Sequence, residues 1–199
     1  MNYSMKKFLV PLLAIVALIA ACVPSVNPFY TNKDVVTDAR FAGTWIGGEG
    51  KDDSVSWKFA ATTNNSYAVL FTEEKNKTGK FEGYLFKLGA ETFLDLTPTD
   101  CDFATNQASI VSMALIPGHL LLRVNFSEKD LLLAFCNGDW LEKFLKKNPA
   151  ALAHRKVDGS IILTAETGAL QKFVLKHLGA DELFGKSGDY KRQADAAVK

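Results

Sequence analysis

Histidine, serine and glycine-rich motifs are the features of this chain most able to do chemistry, and their spacing is the first test for a site. The three histidines, His119, His154 and His177, are far apart and form neither HxH nor HExxH, the local spacings of many metal sites. No serine stands in the GxSxG turn of α/β hydrolases. The sequence therefore predicts no catalytic residue, no metal and no other cofactor, and we expect the protein not to be an enzyme.

Acidic residues gather around Cys101, where Asp95, Asp100 and Asp102 are close in sequence. Oxygen ligands of this kind bind Ca²⁺, but the order of ligands in an EF-hand loop is absent. We therefore expect a solvated loop here. The glycine-rich stretch at 47–50 lacks the following GK[ST] of a phosphate-binding loop, which favours a simple turn.

The cysteines suggest one cross-link. Cys101 and Cys136 remain once Cys22 is assigned to the N-terminal motif described below, and in an oxidising compartment such a pair is expected to form a disulfide. The bridge would close a loop of 35 residues, for which the chain-entropy model gives about 4 kcal/mol. The alternative is two buried free thiols. No CxxC spacing supports a zinc or redox site.

The first residues have the pattern of a secretory signal. Lys6 and Lys7 precede an uncharged apolar run from Phe8 to Ala21, and a basic region before such a run is typical of a signal peptide. A membrane-spanning helix is the alternative. Fourteen residues extend only about 21 Å as a helix, which is short of a hydrocarbon core of about 30 Å.

The run ends Leu18-Ile19-Ala20-Ala21-Cys22, which resembles the lipobox of bacterial lipoproteins. This resemblance implies cleavage before Cys22, acylation of that cysteine and attachment to a membrane through its acyl chains. An ordinary cleaved signal peptide is the alternative. Val23 stands where inner-membrane lipoproteins of enteric bacteria often have Asp, so the resemblance favours the outer membrane within the cell envelope.

Cleavage before Cys22 would leave a nearly neutral chain. The full sequence has a net charge of +1, and removal of residues 1–21 takes away two lysines, which gives −1. Nucleic-acid binding would need a concentrated basic excess, so no nucleic-acid partner is predicted. The remaining 178 residues suit a single domain with its own core.

Alternation of apolar and polar residues dominates the middle of the chain and predicts about eight or nine strands. They are expected at 41–47, 54–60, 66–72, 80–88, 92–96, 110–116, 119–126, 131–135 and on both sides of Asp158-Gly159, a strong hairpin signal. We therefore expect a mostly β (α+β) fold, an antiparallel meander or barrel of about eight strands with two amphipathic helices.

The two helices are predicted from periodicity and end signals. The first has Asp139 as its cap and Glu142 three residues on, then an apolar stripe that includes Phe144, and it ends at Asn148-Pro149. The second starts near 164–167 and ends at Gly179.

These signals divide the chain into four segments. Residues 1–21 are the predicted lipoprotein signal peptide and 22–40 a lipidated tether. Residues 41–184 form the β-rich domain, and 185–199, which are polar and lack an apolar face, form a flexible tail.

A Gly-x-Trp sequence, Gly43-Thr44-Trp45, begins the first predicted strand. Together with a meander of short strands it resembles the lipocalin-like, or calycin, β-barrels. The resemblance implies that Gly43 lets the chain turn into the barrel and that Trp45 plugs its closed end. It also implies an arginine over the indole, with Arg155 as the first choice and Arg123 as the second. The simpler reading is that Trp45 is an ordinary core residue at a strand start.

The chain departs from the lipocalin pattern in two places. Ile46 follows the tryptophan where an aromatic residue, Leu or Arg is usual, and the first helix precedes the last strands. The chain also resembles bacterial envelope lipoproteins that have no assigned activity.

Two functions follow as hypotheses. The first is an anchored binding module that holds a small apolar or lipid-like ligand inside the barrel. The second is a non-enzymatic structural or protein-interaction lipoprotein of the envelope whose barrel is filled by its own side chains. The width of the barrel distinguishes them, since small barrels are filled by side chains and wider ones hold a ligand.

The anchor can be tested directly. Expressed in a bacterium, the protein should incorporate labelled fatty acid and fractionate with membranes, and Cys22→Ala should abolish the label because it removes the acylated sulfur. Incorporation of label by the Cys22→Ala protein would contradict the assignment.

Overall fold

The computed structural model describes residues 23–48, 55–73, 77–99, 118–157, 159–179 and 183–194, and within these ranges it contains ten β-strands and two α-helices. The strands are β1 Gly43–Gly47, β2 Val55–Ala61, β3 Tyr67–Glu73, β4 Lys77–Leu88, β5 Glu91–Pro98, β6 Leu120–Phe126, β7 Asp130–Phe135, β8 His154–Val157, β9 Ser160–Leu163 and β10 Gly188–Arg192. The helices are α1 Gly138–Lys147 and α2 Thr167–His177.

Eight of the strands close into an antiparallel barrel in the order β1-β10-β7-β6-β5-β4-β3-β2. Strands β1 to β7 form a meander in which each pairs with the next, and β10 returns from the far end of the chain to pair with both β7 and β1. The predicted mostly β fold, with a closed barrel and two helices, is confirmed. The predicted strand at 110–116 lies outside the described residues.

The last barrel strand corrects the prediction for the C-terminal segment. Residues 185–199 were expected to form a flexible tail, yet Gly188–Arg192 forms β10, with Tyr190 beside Leu131 on one side and Trp45 beside Arg192 on the other. The strand alternates: Tyr190 packs against the barrel core while Lys191 is exposed. Because its inward side holds only one apolar residue, the pattern gives little sign of a buried strand.

The barrel interior is filled with large side chains from all its strands. The residues of this core that are almost completely buried are Phe41, Trp45, Trp57, Phe59, Tyr67, Val69, Phe71, Phe81, Leu85, Leu94, Leu96, Leu120, Leu122, Val124, Leu131 and Leu133. Their rings touch, as in the pair Trp57 and Phe71, whose centroids are 4.4 Å apart. An eight-stranded barrel is just wide enough for its own side chains to fill it.

Glycines that face the interior leave little free space. A Cβ placed on Gly83 would lie 3.0 Å from Val69 and 3.2 Å from both Leu94 and Leu96. One placed on Gly47 would meet the ring of Tyr190 at 2.6 Å. The neighbouring side chains therefore occupy the volume that these glycines leave.

A second core lies outside the barrel, between its outer surface and a layer made of the helices and the β8–β9 hairpin. The outward residues Phe86, Phe93 and Leu121 are buried beneath this layer. In α1, Leu141 and Leu145 are 1% exposed, while Phe144 packs at the edge of the same core.

The N-cap residue of α1 is not the one that the sequence predicted. The side chain of Asn137, not Asp139, accepts a hydrogen bond from the backbone N–H of Trp140 at 3.2 Å, and the helix therefore begins at Gly138. Asp139 lies in the first turn, where a negative charge is favourable. The predicted end of the helix at Asn148 is confirmed.

The segment predicted as a tether lies along the barrel. Ser25 forms bridges with His119 and Leu163, and Phe29 is 2% exposed in the outer core. Further on, the Val36 amide donates to the carbonyl of Leu85 at 2.8 Å. Residues 23–40 are therefore part of the folded domain, because their apolar side chains cover outward-facing apolar residues of the barrel.

A filled interior predicts that even one methyl group will not fit. Gly83→Ala should lower the free energy of unfolding by about 1–3 kcal/mol because the added methyl overpacks the core. Denaturant unfolding of the two proteins measures the difference.

Gly168→Ala is the matched control, since nothing lies within 4 Å of a Cβ at this position near the start of α2. This change should be neutral or stabilise the protein by up to about 1 kcal/mol. If Gly83→Ala had the same free energy of unfolding as the wild-type protein, the barrel would contain free volume at this position.

Candidate functional site: the plugged end of the barrel and the buried Asp95–His119 pair

Trp45 lies at one end of the barrel and is completely buried. Its indole Nε1–H donates to the carbonyl oxygen of Phe41 at 3.0 Å, so its one polar atom is satisfied. Phe41, also fully buried, packs against Phe59 and Phe126 with ring centroids 4.3 and 5.3 Å away. The chain that leads into β1 therefore turns under the barrel and closes this end, which we call the plugged end.

The cation over the indole is Arg192, in β10. Its guanidinium carbon lies 4.2 Å from the centre of the Trp45 ring. The same group donates to the carbonyl oxygens of Ala42 and Glu128 at 2.8 and 2.7 Å, and also to that of Arg40. One side chain thus joins the start of β1, the β6–β7 turn and the aromatic plug.

The predictions of Arg155 and Arg123 for this position are wrong. Arg155 is an exposed residue of the separate β8–β9 hairpin, where it pairs with Ile162. Arg123 faces out of the barrel and forms an ion pair with Glu91 at 3.0 Å. Arg192 was missed because its segment was assigned to a flexible tail.

Gly43 is required at this end for two reasons. Its φ of 132° is a conformation that L side chains rarely adopt, and the guanidinium of Arg192 occupies the place where a Cβ would stand. The predicted importance of a glycine two residues before Trp45 therefore has a physical cause in the position of Arg192.

The other end of the barrel is more polar. Glu73, 9% exposed, ends β3 on the same face as Val69 and Phe71, and Lys77 lies 3.8 Å from its carboxylate. The Nε1–H of Trp57 approaches the Tyr190 hydroxyl, but it has no hydrogen-bond partner of acceptable geometry among the described residues. Burial raises the pKa of Tyr190, and the neighbouring indole opposes this in part.

A buried acidic residue lies on the outer face of β5, where the sequence predicted a solvated loop. Asp95 is completely buried, and its Oδ1 lies 2.7 Å from Nδ1 of His119, whose side chain is 17% exposed. Its Oδ2 accepts the backbone N–H of Phe29 at 2.9 Å. Burial raises the pKa of Asp95, while the hydrogen bond from His119 opposes that effect.

This pair fastens the N-terminal segment to the barrel. His119 and Ser25 exchange backbone hydrogen bonds of 2.9 and 2.8 Å, so the Asp95–His119 pair holds the segment at both Ser25 and Phe29. The ring of Tyr30 then stacks on Tyr84 at 4.5 Å. The sequence signal was the position of Asp95 between Leu94 and Leu96, in a strand whose outward residue Phe93 is also apolar.

A histidine paired with a carboxylate is also a common catalytic arrangement, in which the acid orients the imidazole as a general base. Such chemistry needs a nucleophile or a bound substrate beside the second ring nitrogen. Within the described ranges, no group of three or more His, Cys, Asp or Glu side chains is placed to hold a metal ion. The contacts that the structure shows for Asp95 and His119 hold the N-terminal segment at Ser25 and Phe29.

Cys136 is buried, and its burial raises the pKa of its thiol to about 12. Cys101 lies outside the described residues, so the pairing of these two cysteines stays a prediction. Cys22 and the apolar run before it also lie outside the described residues. In the part of the chain that the structure describes, no helix is long and apolar enough to cross a membrane.

Fold and site together define a closed eight-stranded antiparallel β-barrel, plugged at one end by Trp45 and Arg192 and covered on its outside by two helices and a hairpin. The chain matches no family model, no curated protein and no solved structure.

The role of Arg192 can be measured through its coupling to Trp45. Arg192→Ala should lower the free energy of unfolding by about 2 kcal/mol, because it removes charged hydrogen bonds and the contact with the indole. The change should cost less in a protein that already carries Trp45→Leu, a coupling that a double-mutant cycle measures.

Arg155→Ala is the control, since this exposed arginine lies on the separate hairpin, and it should change stability by less than about 0.5 kcal/mol. Strictly additive effects of the changes at positions 45 and 192 would show that the two side chains do not act together.

Proposed function

We propose that this protein is a non-enzymatic lipoprotein of the cell envelope, anchored by acyl chains on Cys22, whose filled barrel is a structural scaffold that acts through its outer surface. The observation that carries the proposal is the packing of the interior. Trp45, Trp57 and Leu122 are fully buried, and the spaces at inward-facing glycines are occupied by neighbouring side chains.

The anchoring part rests on the N-terminal motif. Residues 6–22 contain, in this order, two lysines, an uncharged apolar run and a cysteine. This order is the pattern of an acylated signal sequence. One acyl chain binds membranes weakly, and two or three chains bind them firmly. Outer-membrane attachment follows from Val23 after the cysteine, by analogy with lipoproteins of enteric bacteria.

The barrel resembles the lipocalin-like folds in its Gly-x-Trp start, its plugged end and its arginine over the indole, although that arginine is Arg192. We infer that the likeness extends to architecture and not to the use of the interior. A lipocalin that carries a ligand needs an open cavity. Here the ring of Tyr190 lies in the space beside Gly47 and Gly188.

A second candidate is the binding of an apolar ligand with a polar head at the end opposite the plug. It is favoured by one observation: the Nε1–H of buried Trp57 has no hydrogen-bond partner of acceptable geometry among the described residues, and a ligand acceptor atom would satisfy that donor. Such a ligand would have to displace Tyr190 or Phe71 from the interior, which makes this the less favoured function.

The two functions are separated by a fluorescent fatty acid whose absorption overlaps tryptophan emission. For the filled scaffold we expect no saturable binding and no energy transfer to the probe, because the interior has no room for an acyl chain. The acylated protein is titrated in detergent micelles, with the same micelles without protein as the blank.

Energy transfer that saturates near one probe per chain would contradict the filled scaffold and support the second candidate. In that case Trp57→Phe should reduce the transfer more than Trp45→Phe. The Trp57 ring lies against Phe71 and Phe135, and its Nε1–H has no hydrogen-bond partner among the described residues, whereas the Nε1–H of Trp45 already donates to the carbonyl of Phe41.

A further inference from the structure

The first described residues fix where an anchor on Cys22 leaves the domain. The Leu163 amide donates to the carbonyl of Pro24, and the Val26 amide donates to the carbonyl of Leu163, each at 2.9 Å, so residues 24–26 lie parallel to β9. In a parallel pair, moving back along one strand means moving back along the other. The chain before Ser25 therefore runs toward Ser160 and the turn of the β8–β9 hairpin.

No flexible spacer separates the anchor from the domain. Val23 is 7% exposed and belongs to the same core as Ile161 and Leu163. Cys22 is the next residue, and consecutive Cα atoms are only about 3.8 Å apart. Acyl chains on Cys22 would thus hold the hairpin turn at the membrane surface.

The surface beside this point has exposed apolar and basic residues. Val157, at the end of β8, is 46% exposed. Arg155 and Lys156 are exposed on the same hairpin. Apolar side chains among basic ones suit the boundary between headgroups and acyl chains.

Helix α1 extends this surface. Lys156 forms an ion pair with Glu142 at 2.7 Å, which places the helix next to the hairpin. Lys143, Lys146 and Lys147 are exposed on α1. Residues 138–160 contain five Lys or Arg and three Asp or Glu, a net +2, whereas the whole chain from Cys22 on has −1. The positive charge is thus concentrated near the anchor.

We propose that Val157, at the end of β8, and the exposed lysines of α1 form a second contact with the membrane, which binds the anionic headgroups of the bilayer that holds the Cys22 acyl chains. This proposal rests on the lipid anchor of the proposed function. A bilayer is favoured over an acidic protein because the anchor already places a bilayer at the hairpin. Each lysine near an anionic surface strengthens binding about fivefold.

The experiment uses the acylated full-length product in vesicles of phosphatidylcholine with phosphatidylglycerol, part of the lipid being brominated near the top of its acyl chains. Val157→Trp introduces a fluorophore at the hairpin, and bromine should quench it. Leu175→Trp is the matched control. It is exposed to the same degree, 45%, and its side chain lies 3.7 Å from a Cβ position at Gly89, in the β4–β5 turn at the plugged end.

The fluorescence that each substitution adds is measured against the unsubstituted protein. We expect brominated vesicles to quench the fluorescence added by Val157→Trp and to leave that added by Leu175→Trp unchanged. Lys143→Gln, Lys146→Gln and Lys147→Gln together should remove any extra quenching that phosphatidylglycerol gives over phosphatidylcholine alone. Equal quenching at both positions, or none at Val157→Trp, would overturn the proposed contact. So would quenching at Val157→Trp that does not depend on the lysines or the anionic lipid.

Flotation of the same samples separates this result from the anchor itself. Protein that floats with vesicles but shows none of the expected quenching overturns only the second contact. Protein that does not float overturns the lipid anchor, and with it the contact that depends on the anchor.

Discussion

Closure of the barrel by β10 is the interaction on which the rest of the structure depends. An open sheet of seven strands would leave β1 and β7 with unpaired backbone groups at its edges, and closure removes both edges. The same short strand supplies Arg192, whose guanidinium covers Trp45 and donates to three carbonyl oxygens. Backbone pairing and the aromatic plug are therefore secured by the same five residues.

The second constraint is that both faces of part of the sheet are buried. Strands β5 and β6 send Leu94 and Leu122 into the barrel and Phe93 and Leu121 into the outer core. The outer layer and the N-terminal segment cover those outward residues. Asp95 is buried as a consequence. The cost of burying its carboxylate is offset because His119 and the backbone N–H of Phe29 form hydrogen bonds with its two oxygens.

The N-terminal segment runs along the outside of the barrel from one end to the other. The N-terminal segment passes along the barrel from His119, beside Ser25, to the plugged end, where Phe41 turns into β1. Ser25, near which the proposed anchor would leave the domain, and the plug therefore lie at opposite ends of that path. The filled interior and the plugged end are the reason that the proposed contacts lie on the outer surface, around α1 and the β8–β9 hairpin.

Local patterns in the sequence were enough to predict β1 to β9, the hairpin at Asp158-Gly159 and the two helices, because alternation and end signals act over a few residues. The resemblance of Gly43-Thr44-Trp45 to the start of lipocalin-like barrels singled out Gly43 and Trp45. Tertiary structure alone decided that Gly188–Arg192 is a strand, that Arg192 and not Arg155 covers the indole, and that Asp95 is buried against His119. Each of these depends on residues brought together from distant parts of the chain, as Arg192 and Trp45 are, and no local pattern contains that pairing.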